Sequence, residues 1–82
     1  MRLDAVDIGS VCRILDVRGE GVAVRRAKEL GLVPGIICTV IRKAPFSGPV
    51  EVATPTSRIG IRTSDELWIE VEPLTTSMNE AS

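Results

Sequence analysis

The sequence predicts a mainly β protein, a small five-stranded barrel with one short inserted α-helix. Five short apolar segments are separated by regular turn signals rich in Gly, Pro, Ser and Thr, and several segments alternate between apolar and polar residues. One further segment has the three- and four-residue spacing of a helix that buries one face. A barrel is expected because closing the sheet hides the strand edges of a chain of only 82 residues.

The first elements come from the N-terminal third of the chain. The entry segment Met1–Ser10 is expected to pack one short helical turn against the body through Leu3 and Val6. The first strand is predicted at Val11–Val17, where imperfect alternation indicates a β-bulge or burial on both faces. A helix is predicted next, at Val22–Leu30, with its basic residues facing solvent.

The connection from this helix to the second strand sets the direction of the chain. Gly31 stands where a helix C-terminus favours a left-handed residue, since glycine adopts positive φ without a Cβ clash. Pro34 prevents the helix from resuming, and Gly35 lets the backbone bend into the next strand. Leu30 and Leu32 flank the turn and are expected to anchor it in the core.

The rest of the chain alternates strands with short connections. One capped helical turn is predicted at Thr63–Leu67. A single domain of residues 1–73 is expected, followed by a disordered tail at Leu74–Ser82. The remaining predicted strands are Ile36–Lys43, Val50–Thr54, Arg58–Arg62 and Trp68–Glu72. This pattern alone leaves an SH3-like and an OB-like strand order open.

The composition argues against several classes of function. Ten basic and eleven acidic residues give a net charge of −1, unlike a dedicated nucleic-acid binder, and one Phe and one Trp are too few for a base-stacking face. The chain has no histidine, the commonest general base and metal ligand, and no phosphate-binding glycine loop followed by Lys and Ser or Thr. We therefore expect no enzyme, no GTP-binding protein and no cofactor or metal site.

The two cysteines bear on the cellular compartment. Cys12 and Cys38 lie in separate apolar stretches and are expected to be buried free thiols in a reducing cytosol. A disulfide and a two-thiolate metal site are the alternatives. No signal peptide and no apolar run of about 20 residues is evident, so a cytoplasmic protein without a membrane span is expected.

The two aromatic residues are candidate partner contacts. Phe46 follows Pro45 in a proline-flanked loop, and an aromatic side chain at a loop tip suits an interface anchor; alternatively, it folds back over the barrel mouth. Trp68 is expected on the outer face of the last strand, beside Glu70 and Glu72, as a contact or as a cover over one barrel end. These two glutamates could at most bind a divalent cation weakly.

Apolar residues near the second strand are further candidates. Placing Cys38 inward leaves Ile37 and Ile41 outward. An exposed patch there would mark an interaction surface. The alternatives are coverage by the N-terminal segment or the helix, or self-association into a homo-oligomer. Leu32, at the end of the helix, is the last candidate contact, although a leucine in this position is more often part of the core.

Four blocks of the chain have an order and spacing that are similar to a known family. The first block contains Leu-Gly-Leu-Val-Pro-Gly and the second contains Pro-Phe-Ser-Gly-Pro. The blocks are Arg26–Gly35, Ala44–Val50, Ile59–Arg62 and Ile69–Val71. Through them the chain resembles the FeoA family, the small cytoplasmic accessory proteins of bacterial ferrous-iron transport.

This resemblance implies an SH3-like barrel with an inserted helix. It also implies a non-enzymatic role beside FeoB, the membrane permease with a cytoplasmic GTP-hydrolysing domain, whose binding would modulate uptake and recruit the chain to the inner face of the membrane. Similar domains occur in iron-dependent repressors, so a regulatory domain that binds a peptide or a metal is the alternative. The implied contacts are the outer face of the barrel, the loop around Phe46 and the helix end near Leu32.

Overall fold

The computed structural model describes residues 1–46, 48–62 and 67–74. Within this part of the chain, five antiparallel strands form one sheet in the order β4-β3-β2-β1-β5, with one α-helix between the first two strands. The elements are an N-terminal 3₁₀ turn (Leu3–Ala5), β1 (Val11–Gly19), α1 (Gly21–Glu29), β2 (Ile37–Lys43), β3 (Val50–Ala53), β4 (Arg58–Ile61) and β5 (Leu67–Pro73). The predicted mainly β architecture with an inserted helix is confirmed.

The core lies inside the curved sheet and is built from alternate strand residues. β3, β4 and β5 keep the strict alternation that the sequence predicts, because successive side chains of a strand point to opposite faces. The N-terminal turn and α1 contribute to the same cluster. Its largest fully buried side chains are Leu3, Ile14, Leu32, Ile69, Val40, Val52, Val71, Cys12 and Cys38.

β1 is longer than predicted and contains the predicted bulge. Its pairing with β5 shifts register between Ile14 and Asp16, which leaves Leu15 46% exposed. The predicted end of the strand at Val17 is wrong, because β5 continues the ladder as far as the pair Gly19–Leu67. A bulge explains why the apolar residues of this strand alternate imperfectly.

The connection after α1 has the predicted geometry. Gly31 has φ 102° and Gly35 has φ 96°, both in the left-handed region that favours glycine. The N–H of Leu32 donates to the carbonyl of Ala27 at 3.0 Å, and its side chain is fully buried. The prediction that Leu30 also enters the core is wrong, since this side chain is 44% exposed on the other side of the turn.

The N-terminal segment closes one edge of the sheet. Arg2 forms an antiparallel bridge with Glu70, and the N–H of Val71 donates to the carbonyl of Met1 at 2.8 Å. Leu3 is fully buried, as predicted. This segment therefore runs along the outer edge of β5, whereas β4 remains the edge strand on the opposite side of the sheet.

The C-terminal predictions fall partly outside the described residues. Of the predicted turn at Thr63–Leu67, only Leu67 is described, and it begins β5. Pro73 is paired with Cys12 and belongs to β5, one residue beyond the predicted end. The N–H of Leu74 donates to the carbonyl of Val11 at 2.8 Å, and the rest of the predicted tail lies outside the described residues. No helix in the described ranges has the length and apolar character needed to cross a membrane.

Candidate partner-binding surface

The loop between β2 and β3 presents the most exposed apolar side chain among the described residues. Two backbone hydrogen bonds close the loop, from the N–H of Ala44 to the carbonyl of Pro49 at 3.0 Å and from the N–H of Gly48 to the carbonyl of Pro45 at 3.1 Å. A side chain at Gly48 would bring its Cβ to 2.6 Å from the Cβ of Ala44, so the tight turn requires glycine there. The described residues on either side of position 47 are therefore held close together.

Phe46, in this loop, has an unfavourable backbone conformation. Its φ is 58°, the one positive φ of a non-glycine residue in the described chain, and its side chain is 98% exposed. A left-handed conformation costs an L-residue roughly 1–2 kcal/mol. Since the aromatic ring has no burial to offset this cost, Phe46 does not form the lid over the barrel mouth that was the alternative.

Trp68 lies on the outer face of β5, as predicted, but among charged neighbours. Its indole Nε1–H donates to Glu70 Oε1 at 2.8 Å. The guanidinium carbons of Arg2 and Arg18 lie 4.3 Å and 5.7 Å from the ring centroid, within the range of cation–π contacts. We call Trp68, Arg2, Arg18 and Glu70 the Trp68 cluster. Trp68 is 37% exposed, so more than half of its surface is already covered by the protein's own contacts.

Glu70 holds the Trp68 cluster together electrostatically. The Met1 ammonium group donates to Glu70 Oε2, and Arg18 Nη2 lies 3.5 Å from Oε1. The hydrogen bond from the N-terminal ammonium and the one from Trp68 hold the pKa of Glu70 below its ordinary value. Glu72 instead faces Arg13, with 3.7 Å between Oε2 and Nη1. Both glutamates therefore have cationic partners, and no group of three or more candidate metal ligands occurs among the described residues.

The predicted contacts do not form one surface. Phe46 and Pro45 are exposed and follow the end of β2. β2 runs antiparallel to β1, and its Thr39 pairs with the first residue of β1, so the loop lies beyond the start of β1. Trp68 instead pairs with Arg18, next to the last residue of β1. The two aromatic side chains thus lie toward opposite ends of β1.

Two of the predicted contacts are less accessible than expected. Leu32 is 0% exposed, because the left-handed turn at Gly31 directs it into the core, so its side chain is not a surface contact in this structure. Ile41 and Ile37 are only half-buried rather than exposed, so the second strand presents no broad apolar patch. Ile41 remains the candidate nearest to the Phe46 loop along the chain.

The arginine that covers Trp68 could not be predicted from the sequence. Arg2 precedes the N-terminal turn, and nothing in the sequence pairs it with β5 until the bridge to Glu70 is known. The exposure of the apolar residues Val22 and Ile8 was not predicted either. Ile8 precedes β1 and Val22 lies at the start of α1, where the periodicity of apolar residues predicts burial least well.

The two cysteines face each other inside the barrel. Cys12 and Cys38 are directly opposite in the β1–β2 ladder, with 3.6 Å between their Sγ atoms. Both are buried and free, as predicted. The hydrogen bond with Cys12 and burial raise the pKa of Cys38, so this thiol stays protonated near neutral pH. The pair therefore acts here as a core contact.

Comparison with known proteins identifies the family. The model of the FeoA domain family matches residues 1–73. The chain belongs to the FeoA family. A fusion of Fe(2+) transport protein A with the Fe(2+) transporter FeoB, from Porphyromonas gingivalis, is 36% identical over 72 residues. That match covers 88% of this chain and 8% of the fusion protein, so this FeoA chain spans a small part of the curated relative.

Solved FeoA structures share the fold. The solution structure of FeoA from Chlorobium tepidum superimposes with a TM-score of 0.79 at 31% identity, covering 92% of this chain and 71% of that one. The crystal structure of FeoA from Stenotrophomonas maltophilia in complex with zinc has a TM-score of 0.72 at 24% identity, covering 88% and 89%. The latter is described as an SH3 domain protein, and the shared fold confirms the SH3-like barrel predicted for this FeoA chain.

Proposed function

We propose that this chain is a non-enzymatic accessory protein of bacterial ferrous-iron transport. It binds the cytoplasmic region of a FeoB-type permease and modulates uptake from the inner face of the membrane. The relative from Porphyromonas gingivalis supports this proposal, because it is named as a fusion of the two transport proteins. Fusion holds two modules at a high effective concentration, which favours contact between them.

Phe46 is the single observation that supports binding through the β2–β3 loop. The ring is 98% exposed, and the backbone at this position has a φ of 58°, which glycine or asparagine would tolerate better. Neither burial nor backbone preference accounts for a phenylalanine here. Backbone strain beside an exposed anchor residue is typical of functional surfaces.

The proposed mechanism is a shift in the conformational equilibrium of the permease. A partner can only bias such an equilibrium by binding one conformation more tightly than another. The loop, closed by two backbone hydrogen bonds, presents Phe46 and Pro45 on a preorganised backbone, which lowers the ordering cost of association. No step of this mechanism requires chemistry on a substrate.

A calorimetric titration tests this function. The chain is titrated into the cytoplasmic region of the FeoB-type permease of the same organism, with and without a non-hydrolysable GTP analogue. We expect saturable binding, weakened roughly tenfold or more by Phe46→Ala. Val22→Ala is the matched control, because Val22 is also an exposed apolar residue, at 67%, but lies at the start of α1.

Each outcome of this titration decides one point. An affinity that changes with the GTP analogue would show that binding of this chain is coupled to the nucleotide state of the GTP-hydrolysing domain. Unchanged affinity in both Phe46→Ala and Trp68→Ala would remove these residues from the proposed interface. Failure of the folded chain to bind in either nucleotide state would overturn the proposed partner.

A further inference from the structure

β4 is an edge strand whose outer backbone groups have no partner among the described residues. It pairs with β3 alone, and the N–H of Thr54 donates to the carbonyl of Ser57 at 2.8 Å at the end of this hairpin. Thr54 and Ser57 are thus a hydrogen-bonded pair, and such pairs recur every second residue in an antiparallel ladder. The next hydrogen-bonded residues of β4 are therefore Ile59 and Ile61, which face Val52 and Val50 of β3. The N–H and C=O groups of Gly60 therefore point away from the sheet.

The outer face of the sheet is open at Gly60, and a depression lies between β4 and α1. No heavy atom lies within 4 Å of the position that a Cβ of Gly60 would take. One depression, of about 150 Å³, lies between β4 and α1, and a second, of about 360 Å³, lies on the other side of Gly60 above β3. α1 packs against β1. Gly60 thus lies at the middle of a groove that follows β4.

The groove is cationic at its ends and apolar in its floor. Arg26 of α1 and Arg62 beyond β4 line the first depression and make no ion pair with any described residue. Arg42 and Arg58 line the second and share one carboxylate, Glu51, at 3.2 Å and 3.8 Å. Leu30, Ala27, Ile61 and Leu67 supply apolar surface to the first depression. Among the described residues that line the two depressions, four carry a guanidinium group and one, Glu51, carries a carboxylate.

We propose that the β4 edge binds an extended acidic segment of a partner protein, which adds to the sheet as a further strand beside Gly60. The backbone groups of Gly60 supply the main-chain hydrogen bonds of such β-augmentation. Acidic side chains of the segment pair with Arg26 and Arg62, and one apolar side chain enters the depression beside Leu30. Ala44 and Pro49, at the base of the Phe46 loop, line the second depression, whereas the proposed strand pairing lies at Gly60 and Arg62. The occupant of this edge need not belong to the permease.

The charges also argue against a second copy of this chain at this edge. Two β4 strands paired across a twofold axis at Gly60 would place Arg58 of one copy opposite Arg62 of the other. Like charges directly opposite in an antiparallel pair are destabilising. A negatively charged strand is therefore the complementary occupant.

A peptide titration followed by amide chemical shifts tests this proposal. The probe is a blocked ten-residue peptide in which Asp and Glu alternate with Val, compared with the same peptide carrying Lys in place of the acids. We expect saturable shifts at Arg58, Gly60 and Arg62 with the acidic peptide, slowed hydrogen exchange at the Gly60 N–H, and no saturation with the basic peptide.

Two pairs of variants separate backbone pairing from charge. Gly60→Pro removes the outward N–H without breaking a bond to β3 and should abolish binding, whereas Gly60→Ala keeps that N–H and should bind normally. The double variant Arg26→Glu, Arg62→Glu should weaken binding roughly tenfold or more. Arg25→Glu, on the same helix but outside the groove, is its control.

The following results would overturn the proposal. They are the absence of saturable shifts up to millimolar acidic peptide, equal binding of both peptides, and equal affinity of Gly60→Pro and Gly60→Ala. Shifts at β4 that depend on protein concentration without peptide would instead assign this edge to a second copy.

Discussion

At the scale of single residues, Phe46 and the cysteine pair show two opposite roles for apolar side chains. Phe46 is almost fully exposed at a positive φ, whereas Cys12 and Cys38 are fully enclosed between β1 and β2. The exposed Phe46 side chain contributes little to folding and is accessible to a partner. The cysteine pair contributes to the core and is shielded from reagents.

Replacing Phe46 by glycine should separate stability from binding. Glycine adopts positive φ without strain, so Phe46→Gly should leave the free energy of unfolding unchanged or raise it by up to about 1 kcal/mol. Urea denaturation measures this effect, with Phe46→Ala as the control that keeps the unfavourable φ. A large loss of stability in Phe46→Gly would show that the ring packs against the protein.

The two thiols should react only when the core opens. In the folded protein, Cys12 and Cys38 should react with a chromogenic thiol reagent about a thousandfold more slowly than in denaturant, since only the rare open molecules expose them. Val22→Cys provides an exposed thiol for comparison. Reaction of the native thiols as fast as that exposed thiol would contradict their burial.

At the scale of elements, the turn between α1 and β2 determines which side chains enter the core. Gly31 has φ 102°, and the N–H of the next residue returns to the carbonyl of Ala27. This turn buries Leu32 and leaves Leu30 in the groove beside β4. The direction of two successive leucines thus depends on a single glycine.

Substitution of this glycine should destabilise the protein. Gly31→Ala should lower the free energy of unfolding by about 1–2 kcal/mol, because alanine is strained at this φ although the space around it is open. Gly60→Ala is the matched control, since its surroundings are equally open and its φ is not positive; it should change stability by less than about 0.5 kcal/mol. Equal effects in the two variants would contradict the role of backbone conformation.

The sequence predicted the structure correctly wherever a local rule determines the backbone conformation or the burial of a side chain. Glycine at a helix end, strand alternation in β3 to β5 and the burial of Leu3 all follow from such rules. The length of β1 and the exposure of Leu30 depend on pairing with β5 and on the direction of the chain after Gly31. The contact between Arg2 and Trp68 joins the two ends of the domain, which no local pattern can predict.

At the scale of the whole molecule, the N-terminal segment joins the end of β2 to β5. Lys43 Nζ donates to the carbonyl of Asp4 at 3.1 Å, and the Met1 ammonium group binds Glu70. The sheet therefore has one covered edge, at β5, and one available edge, at β4, among the described residues. The available edge is therefore the one at which we propose that a partner strand is added.

The Glu70 contacts should make stability depend on pH in the acid range. The folded pKa of Glu70 is lowered, so its stabilising effect is present above the pKa of the unfolded chain and is lost as pH falls through the folded pKa. Glu70→Gln should therefore flatten the acid side of the stability profile measured by urea denaturation. Glu72→Gln, on the same face, is the control. An unchanged acid profile in Glu70→Gln would contradict the lowered pKa.

The most direct test of the adaptor function is to map the permease contact on the isotopically labelled chain. Unlabelled cytoplasmic region of the FeoB-type permease is added, and amide shifts are followed residue by residue. We predict the largest changes in the loop that carries Pro45 and Phe46, with β1 and the core unchanged. No change at any residue, or changes confined to faces away from this loop, would contradict the proposed binding through Phe46.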